Sequence, residues 1–296
     1  MAVTIAAIVS AAFFATRLTG HPIDFIMPEG LDQQSRAAMI AYYGLDKPVL
    51  EQYALFWRAI VEGEFGLGLV ERRSVAQIFA ERIGPSLRLL ALTIAVTVLI
   101  GVPLGIVSAI KRGKAIGSAI LTSAFVGYTI PNFVLAIGLL LIFSFSLNLL
   151  PSSGNRTAAH HVMPVLALSA FFIAALVRYT RNAMLDVLSQ DYMRTARAKG
   201  LSERAVVLRH GLRNALIPVI TVIGLQITTL VSGAVVIETV FAWNGVGDLL
   251  VGATLKRDYP VLQFGVLLVA LAVVAINTGI DVLYAAVDPR VRLGVT

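Results

Sequence analysis

Charge is absent from four long stretches of the chain: Leu89 to Ile110, Ala115 to Asn155, Asn214 to Ile237 and Tyr259 to Ile280. Each supplies the roughly 20 apolar residues that a helix needs to cross a bilayer, and none shows the short alternating segments of a transmembrane barrel. A fifth apolar run, HVMPVLALSAFFIAALV, lies between His160 and Arg178, and a sixth, shorter one fills the first residues as far as Thr16, ahead of Arg17. The pattern predicts an all-α integral membrane protein with six spans, at about 2–16, 87–110, 116–148, 161–180, 215–240 and 260–283. The third stretch is too long for one perpendicular helix, and Pro131 near its middle removes a backbone donor. No polar turn separates its halves, so a kinked or tilted single span is expected there. The first run lacks the positive leader and cleavage site of a signal peptide and reads as a short first span.

Composition agrees with this pattern. The chain is 57% hydrophobic and 14% charged, with a mean hydropathy of +0.83; soluble domains carry about 25% charged residues. The net charge of +7 raises the possibility of nucleic acid. That reading needs a nucleic-acid fold signature, which the sequence lacks, and cytoplasmic loops of membrane proteins are themselves enriched in Lys and Arg. The distribution of charge decides between the two. Lys111, Arg112 and Lys114 stand together without an acid, and the segment from Arg178 to Arg213 has eight cations against Asp186, Asp191 and Glu203. By contrast, the stretch from Arg17 to Arg82 has seven cations against nine acids, the loop after span three has only Arg156, and Lys256 and Arg257 are balanced by Asp248 and Asp258. Cations thus fall in alternate loops. Both termini and the two basic loops are expected on the cytoplasmic side of the membrane, with no role for nucleic acid.

Few residues suggest chemistry. The sequence has no cysteine, so thiolate metal sites and disulfides are excluded. It has no HExxH, no GxSxG and no paired carboxylates on a helix face, and its only Gly-Lys pair, Gly113-Lys114, is followed by Ala115 rather than by Ser or Thr. His160 and His161 are adjacent and point to different helix faces, which argues against a shared metal; His21 and His210 read as plain interfacial residues. No catalytic residue and no metal site is expected. Glu238 and Asp281 lie near span ends and read as structurally paired groups. Asn132, Gln226, Thr228 and Thr229 are polar at membrane depth, where a polar group needs a partner. They either bond neighbouring helices or line a water-filled path; Asn132, Gln226 and Thr229 are the path candidates.

The stretch DYMRTARAKGLSERAVVLRH, from Asp191 to His210, has more order than a positive-inside bias requires. Tyr192 to Lys199 is compatible with a helix, Gly200 suits its left-handed terminus, and Ser202 suits the cap of a second helix running on to Pro218. Thr195, Ala196 and Ala198 are small enough for another surface to approach closely, and Arg194, Arg197 and Lys199 carry charge for an acidic partner. A docking helix and a lipid-facing basic helix both fit this pattern.

RTARAKGLSER, with ALIPV downstream, resembles the cytoplasmic loop of ABC-transporter permease subunits of the dipeptide, oligopeptide and nickel importer group. GLDKPVLEQY (44–53), GEFG (63–66), IETVFAWNGVGDLL (237–250), RDYP (257–260) and NTGIDVLYAAVDPRVR (277–292) follow in the order of that group, while His21 stands where an acid is usual. The resemblance implies the type I ABC importer permease fold. Its expected parts are a first transmembrane helix at 1–16, a periplasmic segment at 17–85, a permease domain at 86–285 with a cytoplasmic coupling loop at 181–214, and a cytoplasmic tail at 286–296. It implies that Tyr192, Arg194, Thr195, Ala196, Arg197, Ala198, Lys199 and Gly200 form the ATPase-coupling helix. The implied partners are a second permease subunit in a heterodimer, two cytoplasmic ABC ATPase subunits, an extracytoplasmic substrate-binding protein and the lipid bilayer. No cofactor is expected in this chain; ATP and Mg belong to the ATPase subunits. The cargo implied is a peptide delivered by the binding protein. An autonomous secondary transporter or channel is the alternative, although no internal repeat of the kind such transporters show is present.

Overall fold

A computed structural model describes residues 2–18, 33–42 and 44–287 of the chain. Parts of the sequence reading lie outside them, namely His21 and the tail from residue 288. The regular secondary structure of the described residues is helical, the one β feature being an isolated bridge between Leu67 and Ser74. Among the described residues four helices are long and apolar enough to cross a membrane, and one bent pair of helices passes the same test jointly. The first helix, α1 (Ala2–Leu18), has 17 residues, or about 25 Å at 1.5 Å per residue, slightly less than a hydrocarbon core.

Contacts divide the chain into two units. The first holds residues up to Gly84 together with Asn244–Val274. It contains α1, α2 (Gln33–Tyr42), α3 (Val49–Glu62), α11 (Val246–Leu255) and the beginnings of α4 (Val75–Ile110) and α12 (Tyr259–Val287). Phe13 is fully buried against Tyr53 and Phe56 of α3, and Phe264 sits edge-on to Phe65 and Phe79 at 4.3 and 4.8 Å. The buried Asp258 carboxylate accepts hydrogen bonds from the backbone N–H groups of Leu69 and Val70, both at 3.1 Å, and from Val261 in the first turn of α12 at 3.4 Å. A buried carboxylate is tolerated when its oxygens are so satisfied, and the RDYP stretch thereby fastens the loop after α3 to the start of α12. The same unit has an open cavity of about 240 Å³ beside Arg17, whose guanidinium donates to Gln52 Oε1 and lies 3.8 Å from the centre of the Phe13 ring.

The second unit holds Pro85–Trp243 and the residues from Ala275 onward. Its central element is α7 (Ala158–Leu188), which packs on α5 (Ala115–Thr129), α6 (Asn132–Leu139) and α10 (Arg213–Val240). Met163, Ala167, Leu168 and Phe172 of α7 meet Leu89, Leu230, Ala234 and Ile237 in one cluster closed by Phe241 and Trp243. Thr157 and His160 form a reciprocal cap at the start of α7, and the His161 ring stands edge-on to Trp243 at 4.8 Å, so each histidine has a structural role. Gly101 and Gly105 let α4 approach α7: a Cβ on Gly105 would fall 2.5 Å from Thr180 Cβ. This is the close packing that small residues four apart permit in membrane helices.

Two sequence expectations are corrected. The third apolar stretch is broken rather than kinked: α5 ends at Thr129, α6 begins at Asn132, and the two segments turn by 96°. Proline restricts the residue before it as well as itself; Ile130 and Pro131 are both extended, with ψ of 121° and 138°, so two consecutive residues leave the helix. The stretch then continues as α6 and a π-helical segment, Leu140–Ser146. The second correction concerns Pro218, which ends nothing. α9 (Glu203–Ala205), a π-helical run Val206–Leu212 and α10 form one helical stretch from Glu203 to Val240, with Pro218 inside α10. Membrane helices tolerate a proline where local π adjustment and neighbouring helices accommodate the freed groups.

Candidate functional site

The basic loop lies wholly in the second unit. After Leu188 the chain leaves α7, Ser189 and Gln190 turn it, and α8 (Asp191–Ala198) follows. Eight residues are too few for an isolated helix to persist in water, so tertiary contacts must hold α8 in place. Met193 is fully buried and Ala196 nearly so; with Val206 they form a small cluster that Val187 and Leu188 complete. Met193 Cε reaches Gly211, where an added Cβ would lie 3.4 Å from it and equally close to Met184 Cε. Burying one methionine contributes about 1.5–3 kcal/mol, enough to pin a helix this short.

That anchoring decides which face is free. Met193 and Ala196 are three apart and so share one side of α8. At 100° per residue, Asp191, Arg194, Thr195 and Ala198 occupy the opposite side, and all four are exposed. Tyr192 and Lys199 are also exposed, on the flanks. The sequence grouped Ala196 with Thr195 and Ala198 as small residues offered to another surface; the structure turns Ala196 inward and leaves Thr195 and Ala198 outward.

Gly200 closes the helix with φ +77°, the left-handed conformation that glycine adopts without strain. Its N–H bonds to Arg197 O at 2.9 Å. Ser202 then accepts from Ala205 N–H at 3.4 Å, beginning the long helical run into α10. Across this turn Arg197 donates twice to Glu203, from Nε at 3.1 Å and from Nη2 at 3.0 Å. The hydrogen bond to Arg197 holds the Glu203 carboxyl below its ordinary value, and the same pairing raises Arg197. Among the described residues Arg194 forms only an exposed contact with Asp191, 3.1 Å away and one turn earlier.

Met193, Val206, Gly211 and Glu203 were not singled out from the sequence. The three-residue spacing of Met193 and Ala196 is the signal that marks the inward face. Nothing in the sequence marks Glu203 as the partner of Arg197, because the direction of the chain after Gly200 decides that pairing.

The polar residues at membrane depth do not converge. Asn132 opens α6 directly after the break, with Nδ2 3.6 Å from where a Cβ on Gly233 would lie. Thr229 is exposed and bonds only within its own helix, to Leu225 O at 3.5 Å. Gln226 Nε2 is buried without a hydrogen-bond partner, as is Thr97 Oγ1; both residues line a cavity of about 10 Å³ between α4, α7 and α10, roughly the volume one water needs. Thr228 instead donates to Asn277 Oδ1 at 2.9 Å. Glu238 is buried and accepts from Ser86 Oγ at 2.6 Å, the structural pairing expected of it. Among the described residues no group of three or more His, Asp or Glu is arranged to hold a metal ion.

Known proteins resemble this chain along almost its whole length. The glutathione transport system permease protein GsiC of Escherichia coli (strain K12) is 42% identical over 279 residues, covering 94% of this chain and 91% of its own. Its counterpart from Salmonella choleraesuis (strain SC-B67) matches to the same extent. Among solved structures, a chain of the MetNI methionine ABC transporter in an inward-facing conformation superposes with a TM-score of 0.61 at 18% identity, covering 72% of this chain and 97% of that one. A chain of an amino acid ABC transporter crystallised with histidines gives 0.54 at 12% identity, covering 71% and 94%. At those identities the likeness concerns the fold, that of ABC importer permeases. Members of the family are membrane-spanning transport subunits that work with separate ATPase and binding-protein partners. Residues 101–293, the basic loop among them, match the binding-protein-dependent transport system inner membrane component family, and the chain belongs to it.

Proposed function

We propose that this permease carries small peptides inward and that α8 is the element through which a cytoplasmic ATPase subunit drives it. The cargo follows from the relatives, whose names specify glutathione, a tripeptide. In this reading both termini and the loops containing Lys111 and Arg194 face the cytoplasm, residues 17–85 form the periplasmic segment, and a second, different permease subunit completes the pathway. Two ATPase subunits hold the ATP and Mg, and a soluble or lipid-anchored binding protein delivers the peptide. The same reading assigns the permease domain to 86–285 and its coupling loop to 181–214.

One observation carries the coupling role. α8 is pinned from behind by Met193 and Ala196 and presents Asp191, Arg194, Thr195 and Ala198 outward, a small-residue ridge flanked by charge. Such a helix seats in a groove, transmits displacement to α7 and α10, and leaves nucleotide chemistry to the partner. ATP moves the spans only if it binds one state more tightly than the other, so α8 must stay rigidly joined to the spans through both states. Ala198→Trp tests the seat, because an indole on the ridge blocks close approach without touching the buried face. The full transporter reconstituted with this variant is expected to lose ATP-driven uptake, while the permease still inserts and the ATPase subunits still bind nucleotide. Coupled uptake at the parent rate would refute the docking reading.

For the path, Gln226, Asn132 and Thr229 are assigned to its lining, with Gln226 the best supported because it and Thr97 are the polar residues of a small, otherwise apolar cavity and their Nε2 and Oγ1 atoms are buried without a hydrogen-bond partner. Uptake in Gln226→Ala and Asn132→Ala decides this; parent rates in both variants remove them from the path.

A further inference from the structure

Arg197 stands in a motif whose cations the sequence assigns to an acidic partner, yet its guanidinium is already engaged. Nε and Nη2 both reach the Glu203 carboxylate, at 3.1 and 3.0 Å, in the two-pronged geometry that makes arginine–carboxylate pairs strong and directional. The two residues lie on either side of Gly200, whose left-handed φ turns the chain back. The pair therefore closes a loop of which Gly200 is the hinge: Arg197 belongs to the last turn of α8, and Glu203 to the first turn of the stretch that leads into α10. Arg197 also sits next to Ala196 on the flank that turns toward the anchored face, away from the ridge of Asp191, Arg194, Thr195 and Ala198. Arg194, by contrast, has only its exposed contact with Asp191, and both side chains are largely in solvent, with relative exposures of 76% and 90%.

We infer that Arg197 is a positioning residue rather than a partner contact: with Glu203 it clasps α8 to the helix leading into α10, so that displacement of α8 reaches the span. This deepens the coupling role proposed above and rests on it. Without the clasp, α8 is tied to that helix by the Met193–Ala196–Val206 cluster and a glycine free to change its dihedral angles. A partner pushing on the ridge would then bend the Gly200 hinge rather than move α10. Lys199 and Gly200 follow the helix, and Arg194 remains the cation offered to the ATPase.

Charge reversal separates the two roles, because a clasp can be rebuilt in the opposite sense whereas a partner contact cannot. In the full transporter, Arg197→Glu and Glu203→Arg are each expected to lower ATP-driven uptake about threefold to tenfold and to lower the unfolding temperature of the permease. The double variant Arg197→Glu/Glu203→Arg should restore both quantities to within about twofold of the parent and close to its melting point. Restored stability with uptake still lost would show that Arg197 is needed by the partner, and would overturn the inference. So would a double variant no more stable than either single one. If a reversal blocks insertion, the milder set Arg197→Met, Glu203→Gln and both together decides instead: a clasp predicts that the double variant loses no more uptake than the worse single one, and additive losses refute it. Ala198→Trp in the same preparations tells the two readings apart. Loss of uptake there beside an unrestored double variant sinks the clasp alone; unimpaired uptake there sinks the docking role whatever the clasp shows.

Discussion

Gly200 holds φ +77° with nothing within 4 Å of where a Cβ would be. A side chain at this position therefore meets no steric obstacle, only the backbone cost of a left-handed conformation, about 1–2 kcal/mol for an ordinary L-residue and less for Asn. Gly200→Asn is accordingly expected to retain most ATP-driven uptake and Gly200→Val to lose most of it; equal activity in the two would show that the dihedral angle at 200 is immaterial. The Glu203 carboxyl, held below its ordinary 4.5 by Arg197, contributes stability that is complete above that value and is lost only as pH falls through the depressed folded one. Melting temperatures of the parent and of Glu203→Gln should therefore differ by a constant amount from pH 9 to pH 6 and converge in acid, below 4.5. Convergence already near neutral pH would contradict the pairing. The Glu203 and Arg197 side chains are 59% and 39% exposed, so added salt should narrow the gap.

At the scale of elements, what the sequence disclosed depended on how local the governing physics is. The apolar stretches were legible because an uncharged run of bilayer length has few soluble alternatives. The missing N–H of Pro131 by itself implies only a kink, and the added restriction on Ile130 turns that kink into a 96° corner. Pro218, by contrast, costs one hydrogen bond, and the neighbouring π-helical turn and the apolar packing of α10 carry the helix through. The clasp was not legible, since it depends on where the chain goes after Gly200, whereas the spacing of Met193 and Ala196 does mark the inward face. The packing of α4 on α7 yields a sharp prediction. Gly105→Ala places a Cβ 2.9 Å from Val177 O, within the backbone of α7, and is expected to cost about 1–3 kcal/mol by overpacking. Gly138→Ala, with nothing within 4 Å, should be neutral or slightly stabilising, because alanine favours the helix by up to about 1 kcal/mol. Thermal unfolding of the two variants in detergent checks the ranking; Gly105→Ala matching Gly138→Ala would contradict the close approach.

At the scale of the whole molecule, the chain is a membrane gate whose power source lies elsewhere. Membership in the binding-protein-dependent permease family sets aside an autonomous secondary transporter, and the proposed orientation puts the basic loops on the side where an ATPase would be accessible. A buried ridge would serve no partner, and an unanchored one would transmit nothing; α8 avoids both through one inward face and one outward face. The absence of cysteine from the sequence makes this directly measurable. Single cysteines at Thr195, Ala198 and, as the inward-facing control, Ala196 can each be armed with a photo-cross-linker in the assembled, functional transporter. The account predicts adducts with an ATPase subunit from positions 195 and 198 and none from 196. Adducts from none of the three, while a cysteine at Lys111 in the other basic loop captures the ATPase, would contradict it.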